Sequence, residues 1–152
     1  PDINVVGHSH PFFSIVLSAT QVDLGAYSNE GVWFEETGVP HFTLTSNLVD
    51  TRSLGEAHAL SIGQSDAVLL RNHGASYVGE TVRDATLAGI FLEKAAKMQV
   101  TIQSTGLPYE RHDHQEILKK RADIYPERAR NNFWFYFNRK LARLEGRTPE
   151  PM

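Results

Sequence analysis

Ile3-Asn4-Val5-Val6-Gly7-His8-Ser9-His10-Pro11 is the stretch that decides the fold. Ile3 to Gly7 reads as a buried strand, and it runs into a His-x-His pair. Pro11 suits the first position of a helix, where its missing N–H costs nothing. Phe12, Ile15, Val16 and Ala19 then recur at helical spacing. Residues two apart on a strand share a face, so the imidazoles of His8 and His10 project together, their Cα atoms roughly 6.5–7 Å apart.

A second stretch has the same form. Ala67-Val68-Leu69-Leu70-Arg71 reads as a buried strand and ends in Asn72-His73-Gly74. A third imidazole arriving from this strand end would complete a facial tris-histidine set with positions left open, the arrangement of catalytic zinc sites. Each motif alone is weak: histidines two apart arise by chance, and a histidine before a turn glycine is commonly a hydrogen-bonded turn residue. Their conjunction is stronger. Strand ends are where α/β proteins gather functional groups, and three imidazoles packed together need a shared partner.

The composition sets bounds. The chain has 152 residues, 41% hydrophobic and 22% charged, which fits one soluble globular domain. A net charge of −3 gives no reason to expect nucleic acid or an anionic membrane as partner. Without cysteine there are neither disulfides nor thiolate ligands. No apolar run approaches the roughly 20 residues of a membrane span, and no signal peptide is visible, so the expected location is cytoplasmic. The chain opens at Pro1 almost directly in a strand. Residues 1–146 therefore read as one domain whose N-terminal part lies upstream, followed by a tail over 147–152.

Further elements follow from pattern. Phe42 to Thr45 alternates as a short strand inside an otherwise looped stretch from Tyr27. Asp50 to Ile62 reads as a helix stopped by Gly63, and Ala75 to Val78 as another strand. A longer helix spans about Val82 to Thr101, capped by Thr81 with Asp84 at its third position. Its predicted apolar stripe is Val82, Ala85, Ala88 or Gly89, Leu92, Ala95 or Ala96, and Met98. Helices over about 111–124 and 127–144 complete the chain.

With these residues in view, the chain resembles the class II aldolase/adducin family. Val5-Val6-Gly7-His8-Ser9-His10-Pro11, then Leu69-Leu70-Arg71-Asn72-His73-Gly74, Val78-Gly79 and Leu92-Glu93-Lys94-Ala95-Ala96 carry the likeness, from Pro1 to about Gln99. The resemblance implies an α/β fold, a three-layer αβα sandwich around a mostly antiparallel central sheet. It also implies one divalent metal ion per chain, zinc first with manganese or cobalt as alternatives, on His8, His10 and His73. The enzymes are commonly tetramers, so a homo-oligomer is expected. The family's fourth ligand or catalytic acid, and its phosphate loops, would lie upstream of Pro1. The adducin branch lacks the histidine ligands, which favours an enzyme here.

The implied chemistry is that of a metal-dependent carbon–carbon lyase acting on a small molecule through a metal-stabilised enolate. The reading leans to decarboxylation of a small hydroxylated aromatic or heteroaromatic acid. Retro-aldol cleavage or epimerisation of a sugar phosphate is the alternative, and a non-catalytic assembly module the third. Phe12, beside Phe13, would wall a flat substrate, although core packing at the start of a helix is the simpler explanation of the pair. Arg71 would pair with a carboxylate. His114, within His112-Asp113-His114, and Glu30 are the candidate acids, with Tyr27 comparable. His41 and His58 read as structural. The aromatic run Phe133-Trp134-Phe135-Tyr136-Phe137 suggests burial against a second subunit.

Overall fold

β3 (Ala67–Leu70) is buried at every position, as expected of a strand covered on both faces. The computed structural model describes residues 3–111 and 113–149, and in it β3 lies inside a four-stranded sheet of order β1-β4-β3-β2. β1 (Val5–Ser9) and β3 both pair antiparallel with β4 (Gly74–Gly79), while β2 (His41–Phe42) runs parallel to β3. The sheet is therefore mostly antiparallel.

Alternation along β3 divides the core. Ala67 and Leu69 join the larger cluster, with Leu17 of α1 (Phe12–Ser18) and Leu87, Phe91, Leu92, Ala95 and Ala96 of α4 (Val82–Ser104). Val68 and Leu70 point the other way, onto Phe42, Val78 and Ile62 of α3 (Arg52–Ile62). One face of the sheet thus carries α3, and the other carries α1 and α4. α2 (Asn29–Val32) and α6 (Glu127–Leu144) pack against α4, and α5 (His114–Ile124) packs against α2. The three-layer αβα arrangement is the one expected.

Several local expectations need correction. Both motif histidines precede the helix as foreseen, but His8 lies within β1 rather than after it. Pro11 is the N-cap (φ −73°, ψ 140°), not the first helical residue. β2 stops at Phe42, because only His41 and Phe42 find partners, on Leu69 and Leu70. The short α2 interrupts the looped stretch expected from Tyr27; the Ser28 hydroxyl caps it by accepting from Gly31 N–H. On α4, Val82 and Met98 are exposed, whereas Leu87 and Phe91 are buried. The helix is covered by the sheet on one side and by neighbouring helices on another, so a single stripe does not describe it.

Tyr77 locks β1 to α4. A Cβ at Gly7 would fall well inside the Tyr77 ring, and one at Gly89 would lie 2.8 Å from its Cε1. The ring fills the slot left by two missing side chains. This seats the strand that carries the histidines directly on the longest helix.

Candidate metal centre

His8 pairs in register with Ser76, which in turn pairs with Val68, so its ring projects from the face that bears α3. His10 follows one alternation later, beyond the strand. His73 comes from the turn joining β3 to β4, closed by its N–H donating to the Leu70 carbonyl at 3.0 Å. Asn72 in that turn adopts φ 55°, a left-handed conformation asparagine tolerates better than most residues.

The three rings converge. Ring centroids lie 4.9 Å apart for His8 and His10, 5.1 Å for His8 and His73, and 4.9 Å for His10 and His73. One nitrogen from each lies within 4.8 Å of the others, and His8 Nε2 is 3.0 Å from His10 Nε2. Imidazole nitrogens bound to one divalent ion at about 2.0–2.1 Å lie about 3.0–3.4 Å apart, so modest closure completes the site.

The tautomer of His8 suits a metal. Its Nδ1–H donates to the Ala75 carbonyl at 3.0 Å, which leaves the Nε2 lone pair facing the cluster. Ser76 Oγ lies 3.4 Å from the same Nδ1. Burial pushes the His8 pKa below its ordinary value, and the neighbouring His10 and His73 add to this against the carbonyl bond. A neutral donor is what a cation requires. The donor set and its orientation therefore fit a divalent metal.

Two contacts bring the motifs together. A Cβ at Gly74 would collide with the Ser9 carbonyl oxygen and lie 2.9 Å from His10 Cδ2, so the turn touches the backbone of the His-x-His segment only because residue 74 has no side chain. At the far end of α1, Ser18 Oγ accepts from Asn72 N–H at 3.1 Å.

The remaining expected residues divide. Phe12, two residues after His10, is 69% exposed and edge-on to Phe13 at 5.2 Å, while Phe13 packs on the core. Arg71 is exposed at the start of the His73 turn, and among the described residues no carboxylate pairs with its guanidinium. Glu30 is engaged with Lys94 on the layer opposite the histidines. His114 Nδ1 contacts Glu35 Oε1 at 3.1 Å, also on that layer, and His112 lies outside the described residues. Tyr27 stacks edge-on with Tyr109 at 5.5 Å beneath Arg111. Other partners therefore hold Glu30, His114 and Tyr27, and the structure does not bring them to the imidazole cluster. Residue type alone gave no information about which layer they would occupy.

His58, read as structural, packs its ring 5.3 Å from that of Phe42, and its Nε2 is buried without a partner among the described residues. Burial holds its pKa below the ordinary 6.5. Above about pH 6.5 the ring is neutral in both folded and unfolded chains, and this stability is fully present. As the pH falls, the unfolded chain takes up the proton first, and the stability is lost down to the lower folded-state value. Urea unfolding of the metal-free protein should give a lower midpoint at pH 5.5 than at pH 7.5, with a smaller difference in His58→Phe. An identical pH dependence in that variant would remove His58 from the explanation.

The model of the Class II Aldolase and Adducin N-terminal domain matches residues 1–100. The 3,4-dihydroxyphthalate decarboxylase of Rhodococcus jostii (strain RHA1) is 29% identical over 110 residues, 70% of this chain and 45% of that protein. The protein of the same name from Arthrobacter keyseri is also 29% identical over 110 residues, covering 44% of its own length. The chain thus spans less than half the length of these relatives. Among solved structures, L-fuculose 1-phosphate aldolase from Glaciozyma antarctica PI12 superposes with a TM-score of 0.74 at 21% identity, over 97% of this chain and 56% of that one. An aldolase II superfamily protein from Pseudomonas syringae gives 0.73 at 25% identity, over 94% and 57%. The match over residues 1–100, which contain all three converging histidines, makes this chain a member of the class II aldolase and adducin N-terminal domain family.

Proposed function

We propose that His8, His10 and His73 hold one divalent metal ion, zinc in the first instance, and that the protein is a carbon–carbon lyase decarboxylating a small hydroxylated aromatic acid. The observation that carries this is the meeting of three imidazoles with His8 turned by the Ala75 carbonyl to offer Nε2. A divalent ion bound there supplies Lewis-acid stabilisation of the electron pair left when a carbon–carbon bond breaks. The chain's own groups bind and orient. Exposed Phe12, two residues after His10, offers a flat apolar face, and the Arg71 guanidinium, unpaired among the described residues, offers a bidentate partner for a carboxylate that the reaction leaves in place.

The curated relatives, named for decarboxylation of a dihydroxylated aromatic diacid, support this substrate class. Solved structures named for sugar-phosphate cleavage support the fold alone at their level of identity. Phe135, Tyr136, Leu141 and Leu144 remain exposed on α6, in keeping with an assembly of identical chains. Zinc-loaded protein should release carbon dioxide from dihydroxyphthalate or dihydroxybenzoate, stop on chelation and recover on zinc addition. Aldehyde release from fuculose 1-phosphate, with no carbon dioxide from the aromatic acids, would overturn the decarboxylase assignment in favour of aldol cleavage.

A further inference from the structure

α1 begins without a cap of its own. Pro11 stands at the N-cap position and offers no side-chain acceptor, and no acidic residue lies in the first turn. The amides at the second and third helical positions would ordinarily be met by a capping side chain. Here Glu93, from the middle of α4, meets both: Oε1 accepts from Phe13 N–H at 3.0 Å, and Oε2 from Ser14 N–H at 2.8 Å and Ser14 Oγ–H at 2.9 Å. Ser14 is fully buried. A carboxylate at a helix N-terminus is also favoured by the helix dipole.

The helix so fixed touches both halves of the histidine cluster. Its N-terminal end follows His10 across the single rigid residue Pro11. Its C-terminal end carries Ser18, whose Oγ accepts from the amide of Asn72, the neighbour of His73, while donating to the Ile15 carbonyl at 2.8 Å. We infer that Glu93 is a positioning residue for the metal centre: it clamps α1 as a strut between the His8-x-His10 arm and the His73 turn, and so sets the spacing of the three imidazoles. This deepens the metal reading above and rests on it. The sequence signal for such a group is Pro11, which leaves two helix amides to be satisfied from elsewhere.

The test is zinc titration by calorimetry with a competing chelator, on the full chain and on Glu93→Gln, Glu93→Asp and Glu93→Ala. Groups that orient ligands typically contribute about 10- to 100-fold in metal affinity. Glu93→Ala should fall in that range at unchanged stoichiometry. Glu93→Asp keeps the charge but, one methylene shorter, cannot reach both amides, and should lose about tenfold. Glu93→Gln keeps the reach but has one acceptor oxygen, and its –NH2 would face one of the two amides, so it should also lose affinity, by less than Glu93→Ala. Lower thermal stability with wild-type zinc affinity in folded Glu93→Asp would overturn the proposal, and that arm decides if Glu93→Ala does not fold. A second readout needs no metal: the His10 ring-proton NMR shifts should move in Glu93→Asp and in Glu93→Gln, since neither can accept from both amides. Failure of the wild-type chain to bind zinc would sink the metal reading, whereas unmoved His10 signals in Glu93→Asp would sink the strut.

Discussion

His73→Ala should weaken zinc binding by more than about a hundredfold and leave the fold intact. Losing an orienting group costs about 10- to 100-fold, and losing a ligand itself costs more. The side chain stands in a turn closed by backbone, through the Leu70 carbonyl, and its ring packs only half-buried beside the other two histidines. Removing it disturbs no core cluster, so thermal stability of the metal-free protein should change by no more than about 0.5 kcal/mol. The double variant His8→Ala/His73→Ala should lose less than the two single losses combined, because ligands of one ion are coupled. Calorimetry and thermal unfolding on the same samples check this. Zinc affinity unchanged in His73→Ala would mean that any bound metal sits elsewhere.

Gly74→Ala should damage both stability and the site. Gly74 opens β4 opposite Leu70, and its missing Cβ leaves the space occupied by the Ser9 carbonyl and the edge of His10. Two backbone segments cannot both stay in place around an added methyl. Overpacking of this kind costs about 1–3 kcal/mol. Here the displaced segment carries a ligand, so zinc binding should fall with stability. Gly55→Ala is the matched control: on α3 an added Cβ meets nothing within 4 Å, and removing helical glycine should be neutral or stabilising by up to about 1 kcal/mol. Denaturant unfolding separates the two. Equal midpoints for Gly74→Ala and wild type would contradict the close approach of the turn to β1.

Much of this was legible in the sequence for identifiable reasons. Val68, Leu69 and Leu70 form an unbroken apolar run because β3 is covered on both faces, and such runs announce themselves. The His-x-His pair sits on a strand whose alternation fixes a common side, and His73 stands at the next strand's end, so the cluster could be anticipated. What held the cluster together could not. Glu93 is 79 and 80 residues from the amides it caps, and nothing local in α1 names it. The stripe on α4 failed at Val82 and Met98 because periodicity describes burial on one side, whereas Leu87 and Phe91 meet the core on another. Glu30 and His114 looked available because polar loops do not reveal their partners; Lys94 and Glu35 hold them on the opposite layer.

The most direct test is X-ray absorption at the zinc edge on the reconstituted protein. Three imidazole nitrogens at about 2.0–2.1 Å from one ion per chain are expected, with one imidazole scatterer lost in His73→Ala. A zinc environment free of imidazole scattering, or one that His73→Ala leaves unchanged, would contradict the convergence of these three rings on a shared cation.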